Sequence, residues 1–253
     1  MSSLTGRVAV VTGASSGLGR RFAHLLSDAG ASVALMARRE DRLASEVEAI
    51  KEKGGKAIAL PLDVVDAEAI GPALDKAQDA LGPISIMVNN AGVGGDGAAL
   101  TMPVERFDNT FDVNVRGVFY GAREAASRMI NSGVAEREEA RIINIASMAA
   151  FATLPGLSVY CASKAAVVAM TKNLAREWSK YRIGVNAICP GYIETEINSD
   201  WFASEGGQRQ IQGFPRRRLM DASSLDATFM MLAGDGSRFM TGTAITIDDG
   251  QTL

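Results

Sequence analysis

Proton transfer in this chain falls first to tyrosine. Tyrosines occur at 120, 160, 181 and 192, and the residues four positions further on are Glu124, Lys164, Val185 and Glu196. Only Tyr160 therefore shares a helical face with a lysine. A phenol titrates near ~10 and is a poor base at neutral pH. An adjacent ammonium favours phenolate and is expected to lower that value. Tyr160 could then donate a proton to a carbonyl oxygen or remove one from an alcohol. Ser147 closes the apolar run Ile142-Ile143-Asn144-Ile145-Ala146. Its hydroxyl could bond the same oxygen as charge develops there.

A second constellation is Thr12-Gly13-Ala14-Ser15-Ser16-Gly17-Leu18-Gly19, which follows the apolar run Val8–Val11 and leads into an amphipathic helix pattern. Glycines at a strand-to-helix turn let the backbone approach a pyrophosphate, held at a helix N-terminus among unpaired N–H groups. The spacing is G-x-x-x-G-x-G. An acidic residue after the second strand would select NAD by bonding its ribose. Here Ala37 stands in that place, followed by Arg38 and Arg39. Two guanidiniums suit a 2′-phosphate, with Ser15 as a further donor, so NADP(H) is the expected cofactor. The other reading of the pair is a sheet-edge cap bonded to Glu40 or Asp41. Lys164 would also reach the ribose of such a nucleotide.

Composition removes competing chemistries. Among 253 residues there is one histidine, His24, and it lies off the apolar stripe of its helix, so a surface histidine is expected. No multi-histidine metal site is possible, and Cys161 and Cys189 form no CxxC, so no metal is expected. The net charge of -3 gives no basic footprint for nucleic acid. No apolar run reaches ~18 residues, so no membrane span is expected. The start, Met1-Ser2-Ser3-Leu4-Thr5, lacks the features of a targeting peptide, and a cytoplasmic location is expected.

The elements that must position these residues alternate. Strands are expected at Arg7–Val11, Ser32–Met36, Ala57–Leu60, Ile84–Val88, Arg141–Ile145, Gly184–Ile188 and Ala244–Ile247. Helix patterns lie near 17–29, 40–53, 66–81, 104–131, 157–180 and 222–233. Strands apolar on both alternating positions, separated by helices, predict an α/β fold: a Rossmann-type, doubly wound, seven-stranded parallel sheet with helices on both faces. No linker interrupts the pattern, so 1–253 is read as one dinucleotide-binding and catalytic domain. The stretch from Gly191 to about Pro215 fits neither element and is expected to be a loop covering the substrate. The acidic connection Asn131–Glu139 is expected to be a solvated surface turn.

With these motifs in place, the sequence resembles the short-chain dehydrogenase/reductase family in its compact form of about 250 residues, over essentially the whole chain. The matching features are the glycine turn at 12–19, Asn89-Asn90-Ala91-Gly92, Asn114, Ser147 with Tyr160 and Lys164, and Pro190-Gly191. The serine-to-tyrosine separation also agrees. The resemblance implies that Tyr160 is the general acid/base, that Ser147 positions the carbonyl, and that Lys164 lowers the tyrosine pKa and holds the nicotinamide ribose. Asn114 would bend its helix and hold a water linking Lys164 to solvent. Asp63 would meet the adenine with the Val64 backbone beside it; the plainer role for Asp63 is to cap the next helix. Asn90, Ala91 and Gly92 would pass along the cofactor ribose. Backbone near Ile193 and the Thr195 hydroxyl would hold the carboxamide.

The implied activity is reversible, NADP(H)-dependent reduction of a ketone to a secondary alcohol. A 3-oxoacyl-thioester reductase is the alternative, and a non-catalytic NADP-binding sensor a further one. The substrate floor would come from Gly94-Gly95-Asp96, Met148 and Leu154. Trp201, Phe202 and Phe214 could form its apolar wall or fold into the core. No arginine in the 94–97 loop awaits a carboxylate, which favours a neutral, apolar ketone. Arg216-Arg217-Arg218 is either a solvated helix edge or the basic rim a carrier protein would need. The resemblance also implies a homotetramer, with the helices at 104–131 and 157–180 in one interface.

Overall fold

Strands form here where β-branched and apolar residues run together, because the central strands are covered on both faces. The computed structural model describes residues 3–196 and 198–253; Met1 and Ser2 of the chain start, and Ile197 of the 191–215 stretch, lie outside the described residues. The strands are β1 (Val8–Thr12), β2 (Ser32–Ala37), β3 (Ala57–Pro61), β4 (Ile86–Asn89), β5 (Arg141–Ile145), β6 (Gly184–Pro190) and β7 (Ala244–Ile247). They pair in parallel in a seven-stranded sheet of order β3-β2-β1-β4-β5-β6-β7. The helices are α1 (Gly17–Asp28), α2 (Glu40–Glu52), α3 (Ala67–Leu81), α4 (Val104–Phe111), α5 (Gly117–Asn131), α6 (Ser158–Trp178), α7 (Ser199–Ala203), α8 (Glu205–Gly213) and α9 (Asp226–Ala233).

Alternation along each strand sorts side chains into two layers. Ala9, Val11, Val33 and Leu35 join Phe22 and Leu26 of α1 and Phe229 and Leu232 of α9. Val8, Val10, Ala34 and Met36 join Leu74 of α3, Ala122 of α5 and Leu174 of α6. Phe22 and Phe229 stack at 4.1 Å, joining the first helix to the last. The strand order reverses between β1 and β4. In doubly wound sheets such a reversal, at the carboxyl ends of the strands, is the place where ligands bind.

The structure differs from the sequence reading in three segments. The helix pattern at 104–131 is broken by a π-helical turn at Asp112–Arg116. The 191–215 stretch contains α7 and α8. Those helices have 5 and 9 residues, too short for a legible stripe, and Gly206 and Gly207 weaken the pattern further. Tertiary contact holds them: Phe202 is buried, the Ser204 hydroxyl accepts from the Gly207 amide, and the Trp201 ring lies where a Gly206 Cβ would be. The connection at 131–139 is also anchored from within, since Val134 and Ala135 are buried. His24 is not a free surface group. Its Nε2 lies 2.8 Å from Glu46 Oε2, joining α1 to α2.

Candidate active site

The glycine turn ends β1 and opens α1. Ser16, the residue before the helix, makes no side-chain cap bond, and the first turn carries no acidic residue. The amides of that turn are left for an anion. Gly13 and Gly17 have φ of +67° and +53°, a conformation glycine adopts without strain. A Cβ on Gly19 would lie 2.3 Å from Gly13 O and 2.4 Å from Asn90 Nδ2, so the turn closes only around a bare α-carbon. On Gly17 a Cβ would meet only Thr195 Cγ2, at 3.9 Å. The helix N-terminus therefore faces Thr195 of the loop after β6 across an uncrowded contact, and Leu18 follows as helix. This cradle fits a dinucleotide.

Thr12 ties the turn to β4. Its Oγ1 accepts from the Asn90 and Ala91 amides at 3.0 and 3.1 Å, while Asn90 Nδ2 donates to Thr12 O. Gly191 N donates to Ile247 O as Pro190 ends β6, and Ile193 is buried beside Met220. Asn198 folds the next turn: its Oδ1 accepts from Thr195 N at 2.7 Å and its Nδ2 donates to Ile193 O at 2.9 Å.

The two arginines after β2 take different places. Arg39 bonds to neither Glu40 nor Asp41. Its Nε and Nη2 reach Ser15 Oγ at 3.2 and 3.0 Å, and Nη2 donates to Ser16 Oγ at 2.7 Å. Arg38 is largely exposed, with Nη1 3.8 Å from Asp63 Oδ2. Asp63 does not cap α3; Asp66 does, accepting from the Glu68 and Ala69 amides. Asp63 Oδ1 instead accepts from Val65 N, and Val64 is buried where a Gly117 Cβ would meet it at 3.0 Å.

The tyrosine–lysine constellation meets near the ends of β4 and β5. Asn114 is fully buried in the π-helical turn, and its amide reads the Val93 main chain in both directions, at 2.8 and 2.9 Å. Its Nδ2 also donates to Ser163 Oγ, which in turn donates to Tyr160 O. A Gly92 Cβ would lie 3.4 Å from Asn114 Oδ1 and 3.5 Å from Lys164 Nζ, so these two polar atoms flank Gly92. Lys164 Nζ donates to Ile145 O at 2.9 Å and sits 5.7 Å from the Tyr160 ring centre. Ser147 follows β5, its Oγ accepting from Ala149 N.

Electrostatics corrects one expectation. Burial pushes the Tyr160 phenol up; the hydrogen bond with Ser147 opposes this but does not overcome it. Burial also lowers Lys164, to about 8. Burial therefore sets the direction of the shift at Tyr160, and Lys164, 5.7 Å from the ring centre, does not reverse it. The thiols are likewise unreactive, since burial raises Cys161 and raises Cys189 to about 11.

The lysine has a testable signature. Its folded-state value lies below its ordinary 10.5, so between about pH 8 and 10.5 the unfolded chain binds the extra proton. Stability from this group therefore rises with pH across that window. Melting of the protein and of Lys164→Met without ligand should show the difference moving in favour of lysine as pH rises from 8 to 10.5. A difference independent of pH would contradict the burial of the ammonium.

In the 191–215 segment, Phe202 and Phe214 are buried at 3% and 8% exposure, whereas Trp201 is 52% exposed and donates to Gln210. Of the three aromatics that could form a wall or fold into the core, two are buried. Tyr192 stacks on Phe214 at 5.5 Å and meets Phe202 edge-on at 5.7 Å, and it lies close enough to Tyr160 to raise that phenol further. Met148 is buried beneath. The sequence reading missed Thr12, Ser163, Asn198 and Tyr192. Thr12 and Ser163 act through partners far along the chain, whereas Asn198 closes on Thr195 and Ile193 a few residues away, and Ser163 lies inside the Tyr160–Lys164 turn, where it could have been noticed.

The sequence pattern described as short chain dehydrogenase matches residues 7–206. An NAD-dependent glycerol dehydrogenase from Listeria innocua is 35% identical over 251 residues, covering 99% of this chain and 96% of that one. A crystal structure of a short-chain type dehydrogenase/reductase from Mycobacterium marinum superposes with a TM-score of 0.92 at 37% identity, covering 99% of this chain and 97% of the other. A gluconate 5-dehydrogenase from Burkholderia cenocepacia, in complex with NADP and tartrate, gives 0.92 at 30% identity, covering 99% and 96%. No described helix is long and apolar enough to cross a membrane. With the sheet order, the glycine cradle and the tyrosine–lysine turn, these likenesses place the chain in the short-chain dehydrogenase family, as an oxidoreductase that acts on alcohols or ketones with a nicotinamide cofactor.

Proposed function

We propose that the protein is an NADP(H)-dependent reductase of neutral, apolar ketones, or the corresponding alcohol dehydrogenase. The observation that carries this reading is the meeting of Tyr160, Ser147, Lys164 and Asn114 beside a glycine cradle whose rim holds Arg39 on Ser15 and Ser16. When bound, the nicotinamide supplies or accepts the hydride. The protonated Tyr160 hydroxyl, kept neutral by burial, gives its proton to the carbonyl oxygen. Ser147 bonds the same oxygen as charge grows. Lys164 would hold the ribose, and Lys164 Nζ with Asn114 Oδ1, which flank Gly92, would relay a proton back from solvent.

Gly13, Ser15, Ser16, Gly17, Leu18 and Gly19 would hold the pyrophosphate side. Asp63 and Val64 would flank the adenine, and Asn90, Ala91 and Gly92 the ribose. Pro190, Gly191, Ile193 and Thr195 would hold the carboxamide. The chain works as one domain under the 191–215 segment, in the cytoplasm, as a homotetramer. Exposed Val104, Phe107 and Phe119 on α4 and α5 support the assembly. A carrier-borne 3-oxoacyl thioester is disfavoured, because Asp249 engages Arg216 at 3.0 Å and Arg218 at 2.7 Å, tying up the basic rim.

A panel of apolar ketones, polyols and 3-oxoacyl thioesters, assayed with NADPH and again with NADH, tests the reading. The highest kcat/KM is expected for apolar ketones with NADPH. Faster turnover of thioesters would overturn the substrate class, and binding without turnover of any carbonyl would favour the non-catalytic sensor.

A further inference from the structure

Three guanidiniums stand at the start of α2: Arg38, Arg39 and Arg42. Arg38 faces Asp63. The other two are engaged by a carboxylate from the segment after β6. Glu196 Oε2 lies 2.7 Å from Arg42 Nη1 and 3.5 Å from Arg39 Nη1. Glu196 is separated from these arginines by more than 150 positions in the chain and follows Thr195 in the segment that covers the site. All three side chains are about half exposed. The hydrogen bond from Arg42, with Arg39 adding to it, holds the Glu196 carboxyl below its usual range, so it is an anion at neutral pH.

Arg39 also holds the two serine hydroxyls that edge the glycine turn. A carboxylate on this guanidinium occupies one of its donors and presents negative charge where a 2′-phosphate would arrive. NAD carries a hydroxyl at that position and meets no such conflict. A half-exposed pair is weak enough to be displaced, yet its displacement is charged to the phosphorylated cofactor alone.

We propose that Glu196 is a built-in competitor of the 2′-phosphate and sets how strongly the protein prefers NADP(H) over NAD(H). The inference rests on the reading of Arg39 as a phosphate ligand. Removing the charge leaves Arg39 and Arg42 both free to bind the phosphate, so Glu196→Gln strengthens NADPH binding and leaves NADH binding as it was.

Equilibrium fluorescence titrations with NADPH and with NADH decide it, on the wild type, Glu196→Gln and Arg39→Asp. For Glu196→Gln the NADPH Kd should fall about two- to fivefold. The NADH Kd should stay unchanged, and the gain should shrink as salt rises from 0.05 to 0.5 M, roughly as exposed charges are screened. A residue that merely held the covering segment in place would move both Kd values together, and that result overturns the proposal. An unchanged NADPH/NADH ratio in Glu196→Gln also overturns it. Arg39→Asp then separates the causes: if it weakens NADPH selectively, the Arg39 reading stands and only the role of Glu196 falls; if it does not, both fall.

Discussion

Tyr160→Phe should lower kcat for ketone reduction by about 10²- to 10⁴-fold. The NADPH Kd should change by less than about twofold, because the ring and its packing remain. The substitution deletes the one proton donor held against Ser147, in a site where burial already keeps the phenol neutral. Ser147 cannot replace it as the acid: its hydroxyl stabilises charge without an easily released proton. Single-turnover oxidation of NADPH, together with a fluorescence titration of the same sample, separates chemistry from binding. Full activity in the variant would refute Tyr160 as the acid. A parallel loss of NADPH affinity would mean that the hydroxyl holds cofactor rather than moving a proton.

The second large effect is on cofactor choice. Arg39→Asp should weaken NADPH by about 10²-fold, the scale of losing charge-assisted hydrogen bonds and adding repulsion. NADH should bind as well as before or better, since a carboxylate there can accept from ribose hydroxyls. Arg38→Asp should do less. Arg39 is pre-organised by Ser15 and Ser16, whereas Arg38 points outward beside Asp63. The comparison is a ratio of kcat/KM for the two cofactors in each variant. An equal loss for NADPH and NADH at Arg39 would mean that it supports the turn without reading the phosphate. The relatives leave the question open to experiment, since one is named NAD-dependent and another was crystallised with NADP.

Much of this architecture is legible along the chain. Apolar, β-branched runs separated by amphipathic helices specify parallel strands, and the seven strands fall within a few residues of their expected places. The glycine turn and the tyrosine–lysine pair are local patterns, three or four residues apart, so periodicity alone reveals them. The short helices at 199–203 and 205–213 carry no such signal. They exist because Phe202 and Phe214 find Tyr192, and neither propensity nor stripe announces that contact. The π-helical turn is likewise imposed from outside, by an asparagine satisfying the main chain of Val93.

The sequence by itself determined the parallel α/β sheet and the residue types available for proton transfer. That information is local: it lies in hydrophobic period and in glycine at tight turns. Only the tertiary structure decided which arginine faces the serines, that a distant glutamate opposes it, and that burial outweighs the Ser147 hydrogen bond at Tyr160. Those outcomes depend on distance and on desolvation. Both are created when strands far apart in sequence bring their carboxyl ends to one place and water leaves it.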